Sequence, residues 1–184
     1  MLFETPEDWQ QWLAANYDSS PGVRVQISKK GSGKASVTYQ EALETAICFG
    51  WIDSRKDRYD EEYYLQRFTP RRSKSPWSKI NREKAEALIA AGKMHEAGMR
   101  EVELAQQDGR WEAAYESQSK ITVPDDLQAA LDANPAAKDF FATLNSVNRY
   151  AVLYRVTTAR KPETRARRIT QFVEMLAEGK KIYE

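Results

Sequence analysis

Two neighbouring runs rich in aromatic and β-branched residues constrain the fold of this chain more than any other feature. They cover residues 51–59 and 63–70, and an acidic triplet at 60–62 separates them. Runs of this kind, joined by a short polar segment, are typical of an antiparallel β-hairpin. The fold must therefore contain an antiparallel sheet, whatever the rest of the chain forms.

A further strand pattern precedes the hairpin. Val23, Val25 and Ile27 alternate with polar residues, which indicates a half-buried strand. The next segment, residues 29–34, has the sequence Lys-Lys-Gly-Ser-Gly-Lys and leads into residues 35–37, which we interpret as a short strand. Because the spacing differs from that of a phosphate-binding loop and no helix follows at once, the pattern favours a turn between strands over a phosphate cradle.

Helix signals account for most of the remaining chain. The tetrapeptides at residues 5–8 and 38–41 are typical of helix N-termini, and apolar residues recur at helical spacing through most of the second half. We predict an α+β fold: a small antiparallel sheet of three or four strands with helices in the N-terminal part, then an all-helical C-terminal part. A polar stretch divides it into an α+β domain at 1–117 and a helical module at 118–184, packed together as one unit.

Composition and charge exclude several classes of protein. The chain has 28 basic and 27 acidic residues, and this near-neutral balance argues against a globally cationic nucleic-acid binder. Its single cysteine cannot form an internal disulfide, which indicates a reducing compartment. The N-terminus lacks the features of a signal peptide, and no stretch is apolar enough for membrane insertion. We therefore expect a cytoplasmic protein.

The most unusual segment is residues 66–82, which contain six cations, no acid, two prolines and interleaved aromatic residues. Guanidinium groups, hydroxyls and the amides of the helix that follows suit an anion, and aromatic rings can stack on a planar group. Together with the first hairpin strand, this segment supplies the candidate ligand-binding residues Trp51, Asp53, Arg55, Arg67, Arg71, Arg72, Ser75, Trp77, Ser78 and Asn81.

A purely structural interpretation of the same segment stays open. Ser78 or Asn81 can be the N-cap of the following helix. Trp77 can fill a core, and the arginines can pair with acids elsewhere. The ligand-binding hypothesis predicts instead that Arg67, Arg71, Trp77 and Asn81 line one concave surface.

Three other groups of residues are candidates for catalysis or metal binding. Asp53 and Asp57 are an even number of residues apart, so in a regular strand they share a face with Arg55, either as a carboxylate pair or, as we favour, as salt-bridged acids. His95 is the only histidine and has no cysteine nearby, so we predict a capping or exposed residue and no zinc site. Cys48 lies in an apolar run, which predicts a buried thiol and not a nucleophile. No catalytic residue, metal or cofactor is predicted.

Several strings resemble the YdeI/OmpD-associated family, also called bacteriocin-protection proteins. In the second half they lie at residues 123–131, 134–135, 140–144 and 159–169, and in the first half at 49–54, 64–71, 75–78, 81–82 and 109–111. The resemblance covers nearly the whole chain. It implies a link to protection against bacteriocins or envelope stress, but it supplies no reaction, cofactor or set of site residues.

Three functional hypotheses follow. The first is a non-enzymatic binding protein that holds a small anionic ligand or an acidic peptide on the basic segment, in a stress response. The second is an enzyme of unrecognised type that uses Asp53 with Arg55 or Arg67. The third is a nucleic-acid binder that adds the C-terminal basic residues to the central patch, against which the near-neutral charge argues. The oligomeric state is left open.

Overall fold

The computed structural model describes all 184 residues, which form eight helices and three strands. This confirms the predicted α+β class, with a small antiparallel sheet among the early helices and a helical C-terminal part. The elements in chain order are α1 Pro6–Asn16, β1 Val23–Ser28, α2 Tyr39–Cys48, β2 Trp51–Arg58, β3 Tyr63–Pro70, α3 Lys79–Ala90, α4 Glu96–Gln107, α5 Asp125–Asp132, α6 Pro135–Thr143, α7 Ser146–Thr157 and α8 Pro162–Ala177.

The chain forms two compact units. The first comprises residues 1–77 and 81–112, and the second comprises residues 78–80 and 113–184. The first unit therefore holds the whole sheet, and the second holds the four C-terminal helices.

The sheet of the first unit has the order β1-β3-β2, and both pairings are antiparallel. β2 and β3 form the predicted hairpin. Its turn is closed by Asp60, whose carboxylate accepts hydrogen bonds from the amides of Glu62 and Tyr63 at 2.8 and 2.7 Å. The amide of Lys29 donates to the carbonyl of Glu62 at 2.7 Å, so the loop after β1 is attached to the hairpin turn.

One face of the sheet is covered by α1 and α2. Val25 and Phe68 are fully buried on this face, and the centre of the Phe68 ring lies 5.5 Å from that of the Trp9 ring of α1. The indole nitrogen of Trp9 donates to the carbonyl of Ala42 at 3.0 Å, which links the two helices. A buried indole N–H needs such a partner, so the contact fixes the ring as well as filling the core.

Local sequence determines where these helices begin. Thr5 accepts a hydrogen bond from the amide of Asp8, and the Asp8 carboxylate accepts one from the amide of Thr5. Thr38 and Glu41 make the same reciprocal pair at the start of α2. Each capping box satisfies two helix-terminal groups, so the predicted helix starts are confirmed.

The short strand expected at residues 35–37 is wrong. This segment has no strand pairing. The hydroxyl of Ser36 accepts the amide of Ser28 at 2.8 Å, and the amide of Val37 donates to the carbonyl of Phe3 at 2.8 Å. Single contacts with a side chain and with the N-terminal segment replace a ladder, which is why apolar content here does not produce a strand.

The second unit is a helical bundle with its own core. Asn134 and Asn145 accept the amides of Ala137 and Asn148 and so cap α6 and α7. The apolar core of the bundle consists of Leu127, Leu131, Ala137, Phe141, Val152, Leu153, Val156, Ile169 and Leu176. No helix of the protein has the length and apolar character that crossing a membrane requires.

Candidate functional site

The centre of the predicted basic surface is a packed structural joint. Arg71 is 7% exposed and Trp77 is 1% exposed. The guanidinium carbon of Arg71 lies 3.5 Å from the centre of the Trp77 ring, and its Nη1 donates to the carbonyl of Pro76 at 3.3 Å. The stacked cation and the hydrogen bond join the two ends of the loop at residues 71–77.

A second arginine, which the sequence analysis did not single out, holds the same loop. Arg110 is 5% exposed and donates through Nη1 to the carbonyl of Ser75 at 3.0 Å. Its Nε donates to Asp108 at 2.6 Å, which balances the charge. Trp111 beside it meets Trp77 edge-on, with ring centres 4.9 Å apart.

A buried carboxyl group lies near these two arginines. Burial raises the pKa of Glu101, while the positive charges of Arg110, Arg71 and Arg100 act in the opposite direction. Its Oε2 is buried without a hydrogen-bond partner. Only the fold brings this residue of α4 close to the loop, so no local pattern identified it.

The other predicted residues are distributed over several environments. Trp51 is 1% exposed, and its indole nitrogen donates to the carbonyl of Tyr17 at 3.0 Å. Arg67 and Arg72 are exposed. The amide of Arg72 donates to the Ser75 hydroxyl at 3.0 Å, so that serine closes the loop.

Ser78 and Asn81 lie at the start of α3. Ser78 directly precedes the helix, whereas Asn81 is its third residue. The first amide of the helix, that of Lys79, donates to the carbonyl of Tyr115 at 2.9 Å. The Lys79 ammonium forms an ion pair with Glu116. This helix start therefore has protein partners for its first donor and its first cation.

The expectation that Asp53 and Asp57 share a face of the sheet is wrong. Asp53 lies opposite Phe68 and Asp57 lies opposite Leu65, and these two residues of β3 point to opposite faces. A β-bulge between Asp53 and Lys56 shifts the register. A bulge inserts one extra residue, which reverses the alternation beyond it.

A buried glutamine fills this bulge. Gln66 is 3% exposed, and its side-chain amide lies 3.3 Å from the carbonyl of Ser54 and 3.5 Å from that of Arg55. The side chain thus covers backbone groups that the bulge removes from the ladder. Since its partners lie on the other strand, the bulge could not be predicted from β2 alone.

The two aspartates have separate partners. Asp57 forms an ion pair with Arg55. Asp53 accepts a hydrogen bond from the Tyr39 hydroxyl at 2.8 Å. Burial raises the pKa of Tyr39, and the neighbouring Asp53 carboxylate raises it further. These contacts give each carboxylate a structural role and do not bring the two together.

His95 and Cys48 have the roles that their sequence context predicts. The Nδ1 atom of His95 accepts the amide of Ala97 at 3.2 Å and caps α4, and its ring stacks on Phe49. Cys48 is 8% exposed, and burial raises the pKa of its thiol to about 11. No group of three or more metal-binding side chains lies together in the protein.

Two open cavities of the first unit lie at the other end of the hairpin. They have volumes of about 820 and 500 Å³ and share Lys29, Lys30 and Tyr64 as walls. We call this region the loop–hairpin cleft. Its lining residues are Ile27, Ser28, Lys29, Lys30, Gly31, Ser32, Gly33, Lys34, Thr38, Tyr39, Lys56, Asp57, Arg58, Tyr59, Asp60, Glu61 and Tyr64.

Several contacts fix the walls of the cleft. Lys29 donates to the carbonyl of Asp60 at 2.5 Å, and Lys34 pairs with Glu62 at 3.1 Å. The ammonium of Lys56 lies 3.8 Å from the centre of the Tyr64 ring. The loop and the hairpin turn are therefore joined across the cleft by charged side chains.

Two cations at the cleft are not engaged in this way. The side chains of Lys30 and Arg58 are exposed and make no hydrogen bond or ion pair. The backbone of Gly31 and Gly33 adopts φ values of +87° and +69°, and a side chain at either position would meet only open space. The left-handed conformation shapes the loop, and the absent side chains keep its surface accessible.

Residues 29–34 were not predicted to belong to a site. Their spacing and the lack of a following helix differ from those of a phosphate-binding loop, but these criteria describe only one known loop geometry. What makes this loop part of a cleft is the hairpin turn opposite it, which comes later in the chain. The sequence did contain one indication of the cleft: a turn rich in lysine and glycine at residues 29–34 and an aromatic hairpin at residues 51–70.

The fold and these sites define a small α+β protein with a basic, tyrosine-lined cleft in the first unit. Residues 1–101 match the family model described as a domain of unknown function (DUF8412), and because this is more than half of the chain, the protein belongs to that family. Residues 120–179 match the family described as bacteriocin-protection, YdeI or OmpD-associated, which supports the predicted resemblance in the second half, whereas the first half matches a different family model. No curated protein and no solved structure matches the chain.

Proposed function

We propose that this protein is a non-enzymatic binding protein that holds a small anionic ligand in the loop–hairpin cleft. The family match of the second unit supports a role linked to protection against bacteriocins or envelope stress. The observation that carries the proposal is the pair of unengaged cations, Lys30 and Arg58, at the wall of an open cavity of about 820 Å³.

The charge of the cleft favours an anion. Its lining contains five cations, Lys29, Lys30, Lys34, Lys56 and Arg58, against three acids, Asp57, Asp60 and Glu61. Two of these acids already have partners, because Asp57 pairs with Arg55 and Asp60 accepts backbone amides. Lys34 pairs with Glu62, whereas Lys30 and Arg58 have no ion-pair partner, so a ligand with phosphate, sulfate or carboxylate groups would gain charge-assisted hydrogen bonds from these two side chains.

The tyrosines add an apolar wall to this charge. Tyr39, Tyr59 and Tyr64 line the two cavities. Burial raises the pKa of Tyr64, so its hydroxyl stays protonated at neutral pH. Rings with protonated hydroxyls stack on planar groups and also donate hydrogen bonds. The ligand class that fits best is an anion attached to a planar or apolar group.

The segment favoured from sequence supports this function less well. Arg71 and Trp77 are buried against each other, and Arg110 holds the same loop from below the surface. An incoming ligand would have to displace these contacts. Only the exposed side chains of Arg67, Arg72 and Lys74 remain there for an anion.

The test is a thermal-shift screen of the full chain. The probes are inorganic phosphate, pyrophosphate, nucleotides, sulfated aromatic compounds and acidic peptides. A ligand that binds the native state raises the melting temperature by mass action. We expect the double variant Lys30→Ser/Arg58→Ser to lower the affinity of any hit by about tenfold, or about 1.4 kcal/mol.

The matched control removes the same charge elsewhere. Arg72→Ser/Lys74→Ser deletes two exposed cations from the segment predicted by sequence and should leave the affinity unchanged. If this control weakens binding and the cleft variant does not, the cleft is the wrong site. If no anion binds at millimolar concentration, the proposed function is wrong.

A further inference from the structure

The C-terminal segment of the second unit returns along the bundle after α8. The helix ends at Ala177 and is followed by Gly179, where φ is +68°, and the amides of Gly179 and Lys180 donate to the carbonyls of Leu176 and Met175. This is the hydrogen-bond pattern of a glycine-terminated helix whose chain reverses direction. Residues 180–184 then run on without helix or strand.

A single buried side chain holds the backbone of this segment. Asn148 of α7 is 2% exposed. Its Nδ2 donates to the carbonyl of Tyr183 at 3.0 Å, and its Oδ1 accepts the amide of Tyr183 at 2.8 Å. The second proton of Nδ2 is directed to Asn145 Oδ1 at 3.2 Å, so the amide is fixed in orientation.

The side-chain amide of Asn148 thus pairs with both the N–H and the C=O of Tyr183. Because these are main-chain groups, the interaction does not depend on which side chain stands at that position. Without an occupant, the Asn148 amide would lose both of its hydrogen bonds to main chain. The site is therefore built for a segment of extended backbone.

The neighbouring contacts select side chains. Ile182 packs against the apolar core of the bundle. Arg155 donates to the Tyr183 hydroxyl at 3.2 Å, and its guanidinium carbon lies 5.7 Å from the centre of that ring. Arg155 is itself fixed by a hydrogen bond to the carbonyl of Ala151 at 3.1 Å. An aliphatic residue followed by tyrosine satisfies both positions.

We propose that the second unit carries a peptide-binding site, which residues 182–184 of the same chain occupy in this structure. The partner is an extended protein segment with an aliphatic residue followed by tyrosine. The attachment of the tail is limited, since the Tyr183 side chain is 47% exposed and Glu184 is exposed. The proposal goes beyond anion binding, and it depends only on residues of the second unit.

The test uses the full chain with the variant Ile182→Asp. A carboxylate disfavours the apolar contact of Ile182, so the tail is released and the Asn148 amide becomes accessible. A fluorescent peptide of sequence Lys-Lys-Ile-Tyr-Glu should then bind at least about tenfold more tightly than it binds the wild type, where the attached tail competes at high effective concentration.

Two controls separate backbone recognition from non-specific contact. A peptide methylated on the tyrosine nitrogen lacks the N–H that Asn148 accepts and should not bind. The variant Ile182→Asp/Asn148→Leu should also lose the peptide. Absence of binding to folded Ile182→Asp, or equal binding of the methylated peptide, overturns the proposal.

A measurement on the unmodified chain covers failure of the variant to fold. Excess peptide should displace the tail and shift the nuclear magnetic resonance signals of Ile182 and Tyr183, and the Tyr183 amide should exchange with solvent faster than that of Val152 in the same unit. Unchanged signals overturn the proposal. Dimerisation that Asn148→Leu abolishes also overturns it, because the site would then belong to a second copy of this chain.

Discussion

The two ends of the β2–β3 hairpin are both rich in cations but use them differently. At the closed end, formed by Gly50, Trp51, Pro70 and residues 71–77, the guanidinium of Arg71 is buried on Trp77. At the open end, formed by the turn at residues 59–62 and the loop at 29–34, cations line cavities. From the sequence, the closed end was the one predicted to bind a ligand.

The difference shows that a density of basic residues does not by itself indicate a binding surface. A guanidinium group that donates to a loop carbonyl and stacks on an aromatic ring stabilises the packed loop, so this charge has a structural role. An ammonium group on an exposed loop has no such partner and remains available to a ligand. Burial and geometry separate the two roles.

The largest expected effect is at the closed end. Trp77→Ala should lower the free energy of unfolding by about 3–5 kcal/mol, because a fully buried indole is lost from between Arg71 and Trp111. Urea unfolding measures this. The control at the open end, Tyr59→Ala, removes a side chain that is 55% exposed and should cost no more than about 0.5 kcal/mol. Equal costs would show that the two ends do not differ in packing.

A matched pair of glycines tests the same contrast. Gly50 and Gly33 have similar φ values of +74° and +69°, so an alanine at either position meets about the same backbone strain, roughly 1 kcal/mol. A Cβ at Gly50 would lie 2.9 Å from the carbonyl oxygen of Ala97, whereas one at Gly33 meets nothing within 4 Å. Gly50→Ala should therefore cost about 1–3 kcal/mol more. Denaturation curves with the same midpoint for both variants would contradict it.

The buried thiol of Cys48, at the end of α2, predicts that stability depends on pH. Burial raises the pKa of this thiol from an ordinary value near 9 to about 11. Its contribution is therefore fully present below pH 9 and is lost as the pH rises toward 11, by about 2–3 kcal/mol. The difference in unfolding free energy between the wild type and Cys48→Ala should decrease by this amount over that interval. A difference that is constant with pH would show that the thiol is not desolvated.

The smallest expected effect concerns exposed charges. Lys30→Ser/Arg58→Ser and Arg72→Ser/Lys74→Ser should each change the free energy of unfolding by less than about 0.5 kcal/mol, because all four side chains are exposed. Thermal unfolding without ligand measures this. A large loss of stability in the cleft variant would mean that its cations support the fold, which would remove the contrast with the closed end.

Much of the fold could be predicted from the sequence. The starts of α1 and α2 follow from capping boxes of four consecutive residues. The hairpin follows from the alternation of its two strands and the acidic turn. The bulge in β2 could not be predicted, because it depends on Gln66 of the partner strand. The strand prediction for residues 35–37 was wrong for a similar reason, because Val37 is bound by the carbonyl of Phe3, which is distant in the chain.

The sequence alone determined the hairpin, the starts of α1 and α2, the α+β class and the resemblance of the second half to a known family. These depend on helical and strand periodicity, on capping residues and on short strings, all of which are local. The tertiary structure decided that Arg71 is buried on Trp77, that Arg110 supports the same loop, and that the loop at 29–34 faces the hairpin turn across a cleft. These outcomes depend on contacts between residues far apart in the chain, where burial and electrostatic environment are determined by packing.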